Sequence, residues 1–280
     1  MTIITATELA DLLAGDAPVR LLDVRWTLTR PDGREAFADG HIPGAVYVDL
    51  ETELSDHSVT GRGRHPLPSG RDLQAALRRW GIDDGDTVVA YDDWNRAGSA
   101  RAWWVLRAAG LTDVRILDGG LAGWLAAGGS VQYGRAAERT GSVTVAHDDL
   151  YAGALPVLTA AEAARIAGSG VLLDARAPER FRGELEPVDP IAGHIPGSVN
   201  LPSTRVLHED GGFVEPEKLR ERFARRGVNG ATPLGAYCGS GVTAAVLVAA
   251  AASAGIEVAL FPGSWSQWSS DPANPVATGE

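Results

Sequence analysis

The sequence predicts an α/β protein of two tandem domains, each a parallel sheet flanked by helices, and three observations carry that expectation. Short apolar runs such as Leu21-Leu22, Val88-Val89-Ala90 and the stretch 233–237 alternate with helical stretches at 71–80, 99–109, 160–167 and 216–226. Near-continuous apolar strands separated by helices belong to a parallel sheet covered on both faces. The chain also states its blocks twice. Leu21-Leu22-Asp23-Val24-Arg25 returns as Leu172-Leu173-Asp174-Ala175-Arg176, and Gly40-His41-Ile42-Pro43-Gly44 returns as Gly193-His194-Ile195-Pro196-Gly197. Val88 to Asp92 is matched by Leu234 to Cys238, and Leu117 to Trp124 by Phe261 to Trp268. Four blocks in one order, about 150 residues apart, mark a duplicated domain. Finally, 280 residues with 45% hydrophobic and 22% charged side chains make an ordinary globular composition, long enough for two cores.

The segment from Gly128 to Leu158 has weak periodicity and reads as a linker, dividing an N-terminal domain of residues 1–140 from a C-terminal domain of residues 150–280. The uncharged stretch from Gly227 to Ile256 is interrupted by Pro233 and glycines and its helical part is too short to span a bilayer, so it reads as a core helix. A net charge of -11 argues against nucleic acid or an anionic membrane as partner. A single cysteine permits no internal disulfide and fits a reducing compartment, the cytoplasm. The N-terminal residues lack a basic region and a signal-length apolar core, so no export is expected.

That one cysteine sits in the most informative stretch, Tyr237-Cys238-Gly239-Ser240-Gly241-Val242-Thr243. A buried strand precedes it and an Ala-rich helix over 242–254 follows, so Cys238 lies in a strand-to-helix turn. Gly239 and Gly241 let the backbone curl and turn its N–H groups inward, an anion-holding nest at a helix start. Such a nest favours a thiolate, which makes Cys238 the candidate nucleophile. A lone cysteine that served only as a small packing hydrophobe would not need that loop.

With the paired Asp-x-Arg and Gly-His-Ile-Pro-Gly blocks, the Cys238 to Thr243 loop and Gly263-Ser264-Trp265-Ser266-Gln267-Trp268, the chain resembles the tandem-domain rhodaneses. The resemblance covers essentially the whole chain and points to the mercaptopyruvate and thiosulfate sulfurtransferase branch. It implies two rhodanese-like domains, the second catalytic and the first a degenerate copy. Asp92 stands where Cys238 stands in the repeat, and Trp94-Asn95-Arg96 are not expected to form the same nest. It further implies a ping-pong reaction in which Cys238 takes sulfur from a small-molecule donor, becomes a persulfide and passes it to cyanide or a thiol such as thioredoxin.

The neutral Gly239-Ser240-Gly241 loop is similar to that of members favouring 3-mercaptopyruvate, whereas thiosulfate enzymes tend to carry basic residues there. The loop residues Gly239, Gly241, Val242 and Thr243 are then expected to bind substrate, and Arg180 matches a carboxylate-binding arginine. Arg182 beside it reads as a surface ion pair. The family's second such arginine falls at about Asp189, an acid expected to repel the substrate. Another arginine substitutes, mercaptopyruvate binds weakly, or the donor is different. The resemblance also implies a proton relay of Ser240, His65 and an acid at Glu51, one methylene longer than the aspartate usual there. His65 would come from the first domain, where it reads equally as a loop histidine.

Other features read as structure. His41 and His194 each precede Ile-Pro-Gly in a tight turn, where a ring nitrogen can satisfy backbone groups. Trp103-Trp104 read as core or domain interface, and Trp265 and Trp268 as walls of the pocket. Asp83-Asp84-Gly85-Asp86 lacks the ligand register of a calcium loop, so no metal and no cofactor is expected. A phosphatase reading would need an arginine six residues after the cysteine, and Ala244 stands there. The remaining alternatives are thiosulfate:cyanide sulfur transfer and a regulatory module that carries persulfide.

Overall fold

The computed structural model describes residues 1–136 and 139–280 and divides into two units. The first holds Met1–Asp56, Leu67–Leu155 and His208–Phe213; the second holds His57–Pro66, Pro156–Leu207 and Val214–Glu280. In chain order the first unit has β1 (Ile3–Ile4), α1 (Ala6–Ala14), β2 (Val19–Asp23), α2 (Arg34–Ala38), β3 (Val46–Tyr47), α3 (Leu50–Glu53), α4 (Gly70–Arg79), β4 (Thr87–Tyr91), α5 (Ala97–Ala108), β5 (Val114–Leu117) and α6 (Gly120–Ala126). The second has α7 (Ala160–Ser169), β6 (Val171–Asp174), α8 (Pro178–Phe181), β7 (Val199–Asn200), α9 (Pro216–Ala224), β8 (Leu234–Tyr237), α10 (Ala244–Ser253), β9 (Ala259–Leu260) and α11 (Ser264–Trp268).

Each unit builds its own parallel sheet, as strands joined through helices must. The orders are β1-β5-β4-β2-β3 and β7-β6-β8-β9. The repeat reappears in the register: Asp23 lies opposite Tyr91 at the carboxyl end of one sheet, and Asp174 opposite Tyr237 in the other. One core gathers Leu21, Ile42, Val89, Tyr91, Leu117 and Trp124; the other gathers Leu172, Ile195, Tyr237, Phe261, Trp265 and Trp268. Thr5 with Glu8 opens α1 by a reciprocal capping box, and Thr159 with Glu162 opens α7 the same way.

The Gly-His-Ile-Pro-Gly turns are locked alike. His41 Nδ1 meets the Phe37 carbonyl oxygen at 2.8 Å and His194 Nδ1 meets that of Phe181 at 2.7 Å. Each imidazole stacks on the same phenylalanine, with ring centres 3.8 Å apart in both cases. The following Ile N–H donates to the Tyr91 or Tyr237 hydroxyl. Burial, followed by the nearby Asp174 charge, holds the Tyr237 phenol far above its ordinary pKa, so it stays a neutral post for these bonds.

The segment expected as a linker does not run free. Backbone N–H groups of Gly141, Val143, Ala146 and Ala154 donate to carbonyls of Arg78, Ile82, Ala109 and Ala108, which stitches residues 139–154 onto the first unit. The part of that segment at 137–138 lies outside the described residues. The aspartates of 83–86 serve this stitching and the turn before β4: Asp83 accepts from Ser142 and pairs with Arg139, Asp84 accepts from the Thr144 N–H, and Asp86 pairs with Arg20. No helix among the described residues is long and apolar enough to cross a membrane.

Candidate active site

β8 is buried at every residue and delivers Cys238 to its carboxyl end, the end at which open α/β sheets bind ligands. The Gly241 N–H points back at Cys238 Sγ at 3.1 Å, so a backbone donor of the glycine loop faces the sulfur itself. Gly241 has φ +78°, and a Cβ there would run into the Pro262 carbonyl. Val242 is buried, and Thr243 already has helical angles, so the loop takes both and α10 begins at Ala244.

A residue that sequence reasoning missed completes the cysteine's surroundings. Ser264 is fully buried at φ +52°, the left-handed region that a serine rarely adopts. Its counterpart in the first unit is Gly120, at φ +55°. Serine is held there because its Oγ accepts the Cys238 N–H at 3.1 Å, donates to the Phe261 carbonyl at 2.9 Å and lies 4.0 Å from Sγ. The two Gly-(Gly/Ser) positions align in the repeat, and that alignment was the available signal.

α11 then brackets the site. The Trp265 and Ser266 N–H groups donate to the Cys238 and Gly239 carbonyls at 3.0 and 2.9 Å. Ser266 Oγ accepts the Arg64 N–H at 3.0 Å, and Gln267 Nε2 donates to the Gly61 carbonyl at 2.8 Å. One short helix thus fastens both the cysteine loop and the segment 57–66, which lies between α3 and α4 in sequence yet packs with the second unit. Trp265 and Trp268 are not pocket walls: both are buried, with indole N–H groups donating to the Ile191 and Pro275 carbonyls. Their bulk is needed in the core under α11.

His65 arrives with that segment, buried, and its Nδ1 lies 2.7 Å from Ser240 Oγ. The structure therefore brings Cys238, Ser240 and His65 together. Glu51 is described in the first unit, where its carboxylate accepts the Trp26 indole N–H at 2.6 Å.

Arg180 lies beside the loop, but with acids around it. Its Nη2 and Nε bond Glu186 at 2.5 and 3.1 Å, and Nη2 is 3.3 Å from Asp189 Oδ2. Asp189 is not a bare repelling charge as expected from the sequence. Its buried carboxylate is held by Arg64 Nη1 at 2.7 Å as well as by Arg180, so its charge is neutralised locally. Arg182 pairs with Glu184 at the surface.

The matching loop of the first unit corrects a second expectation. Trp94-Asn95-Arg96 do form an anion nest, and Asp92 fills it with its own carboxylate. Oδ1 accepts the N–H groups of Trp94 and Arg96 at 3.1 and 3.2 Å, and Oδ2 accepts Ser99 N–H and Oγ at 3.0 and 2.6 Å. Arg96, at φ +62° and buried, adds an ion pair of 2.9 Å. No glycine is needed where a fixed internal anion organises the turn. Among the described residues no group of three or more His, Cys, Asp or Glu is placed to hold a metal ion.

Comparison with known proteins gives the family. The model of the rhodanese-like domain matches residues 5–127 and again 159–271. The chain is 58% identical, over 99% of its length and 97% of the relative's, to a Mycobacterium tuberculosis protein named "Putative thiosulfate sulfurtransferase SseB". It is 44% identical to the "Probable 3-mercaptopyruvate sulfurtransferase" of Pseudomonas aeruginosa, over 99% and 98% of the two chains. The crystal structure of SseA from Escherichia coli, a 3-mercaptopyruvate sulfotransferase, superposes with a TM-score of 0.81 at 32% identity, covering 95% of this chain and all of that one. A duplicated parallel sheet, a nest around a lone cysteine in the second copy and these likenesses together lead to one conclusion: the chain belongs to the rhodanese family and is a tandem-domain sulfurtransferase.

Proposed function

We propose that the chain moves sulfane sulfur from 3-mercaptopyruvate, its preferred donor, through a Cys238 persulfide to a thiol or cyanide acceptor, with the second domain catalytic and the first not. The observation that carries this reading is Cys238 Sγ under the Gly241 N–H, with the Ser240 and His65 pair in the same unit. The Cys238 thiolate attacks the donor's sulfur, the C3–S bond breaks, and its electron pair passes to C3 as the pyruvate enolate. A proton equivalent to that lost by the donor thiol reaches C3 through Ser240 and His65, giving pyruvate and leaving the sulfur on Cys238. Glu51 stays the relay's acid on the resemblance. An acceptor thiolate or cyanide then attacks the outer sulfur, and the Cys238 thiolate leaves.

Charge supports mercaptopyruvate over thiosulfate. The guanidiniums of Arg64 and Arg180 stand against the carboxylates of Glu186 and Asp189, so these four groups sum to zero. Neutral surroundings with directed donors suit a monoanion better than a dianion. The name of the Mycobacterium tuberculosis relative favours thiosulfate instead, and a direct comparison of specificity constants separates the two. Incubation with mercaptopyruvate and no acceptor should add one sulfur atom to the intact protein by mass spectrometry, and Cys238→Ser should take up none. Sulfur transfer retained by Cys238→Ser would sink the reading.

A further inference from the structure

Where the resemblance leads one to expect a second carboxylate-binding arginine the chain has Asp189, and the fold brings an arginine to that acid from 125 residues away. The Asp189 side chain is 2% exposed and grips Arg64 by one oxygen and Arg180 by the other. Both guanidiniums thereby flank the residue after the cysteine: a Cβ built on Gly239 would lie 3.3 Å from Arg64 Nη2 and 3.6 Å from Arg180 Nη1. These are the nitrogens not used on Asp189 or Glu186. Arg64 Nε is buried with no hydrogen-bond partner among the described residues, a donor that an incoming acceptor oxygen would satisfy.

We propose that Arg64 is a donor-binding residue, the second arm of a two-guanidinium clamp for the donor's carboxylate, and that Asp189 is a positioning residue that holds it there. The proposal rests on mercaptopyruvate being the donor. A carboxylate has two oxygens in one plane, and two forks held by a shared anion present parallel donors to them. Gly239 leaves the space: any side chain there would meet both guanidiniums. The Arg64 backbone is itself pinned by Ser266, so the arm is fixed before substrate arrives.

Steady-state kinetics of the full chain with mercaptopyruvate and cyanide test this, with pyruvate as a competitive inhibitor that carries the carboxylate without the sulfur. Arg64→Ala should raise the KM for mercaptopyruvate and the pyruvate inhibition constant together, by about 10- to 100-fold, with kcat lowered less. Arg64→Lys keeps the charge but loses the fork, and should raise both by about tenfold; it also serves if Arg64→Ala does not fold. Asp189→Asn should raise KM several-fold in the wild type and less than twofold in the Arg64→Ala background, because its effect runs through Arg64. Asp189→Arg should raise KM as well, by setting a third cation against the other two. Unchanged constants in Arg64→Ala or Arg64→Lys, a lower KM in Asp189→Arg, or an undiminished Asp189→Asn effect in the Arg64→Ala background would overturn the clamp alone. A wild type that turns over thiosulfate but neither uses mercaptopyruvate nor is inhibited by pyruvate would overturn the donor reading, and the clamp with it.

Discussion

Glu186 carries its charge where burial opposes it, with a side chain only 3% exposed. Burial alone would raise its pKa from 4.5, but hydrogen bonds from Arg180 and from the Asp189 and Val188 N–H groups, with the Arg180 charge, outweigh it and leave the value lowered. A carboxylate lowered on folding adds stability that is fully present above its unfolded pKa and is lost as pH falls through the folded one. Glu186→Gln should therefore lower Tm by about 3 to 8 °C at pH 7, with the difference shrinking as pH falls below about 4.5 and on through the lowered folded-state value. A thermal-melt series from pH 7 to 3 reads this directly; a constant difference across the series would count against the charged role. At this scale the sequence shows residue types and positions in a repeat, which was enough to single out Cys238, while Ser240 and His65 came only from the family resemblance. It was not enough for Arg64, because nothing local ties position 64 to position 189.

The helices read from the sequence were legible to within one or two residues, and the misfits have local causes. The helix expected at 71–80 starts at Gly70 because Ser69 Oγ accepts the Asp72 N–H. That expected at 99–109 starts at Ala97, where the Asp92 nest ends and Arg96 breaks the helical angles. The larger surprise is α11, which reads in sequence as aromatic pocket wall and acts as a bracket between the cysteine loop and residues 57–66. Its hold on Arg64 rests on a single hydroxyl. Ser266→Ala removes that acceptor at a cost of about 1 kcal/mol, so the Arg64 amide should exchange with deuterium about fivefold faster while the β8 amides are unaffected. An unchanged Arg64 exchange rate would show that the segment is held elsewhere.

Across the whole molecule, the two copies keep one frame and diverge at one loop. Asp23 with Arg25 and Asp174 with Arg176 pair in the same buried geometry, and both histidine turns are locked by the same bonds. The first copy closes its nest on the Asp92 carboxylate and the second leaves a thiol in it. Asp92→Cys in a Cys238→Ser background should take up no sulfur by mass spectrometry, since Arg96 fills the space over that loop. The same change strands a buried guanidinium and should destabilise the protein by about 3–5 kcal/mol in denaturant unfolding. Labelling of that cysteine by mercaptopyruvate would show that the nest, without its neighbours, suffices.

The sequence by itself determined the fold class, the duplication and the candidate nucleophile, Cys238. Those depend on periodicity, on self-similarity and on one rare residue in a glycine loop, all written within short windows. What surrounds the sulfur was decided in three dimensions: Ser264 against the Cys238 N–H and Arg64 with Asp189 beside Gly239 were not foreseen, and His65 against Ser240 was expected only from the resemblance. Each of these joins residues 26 to 175 positions apart, across distances along the chain that no local propensity encodes. An acid that reads as a repelling charge when its neighbours are unknown becomes the holder of two arginines once the chain has brought them to it, because the sign of an electrostatic effect depends on which charges end up within a few ångströms.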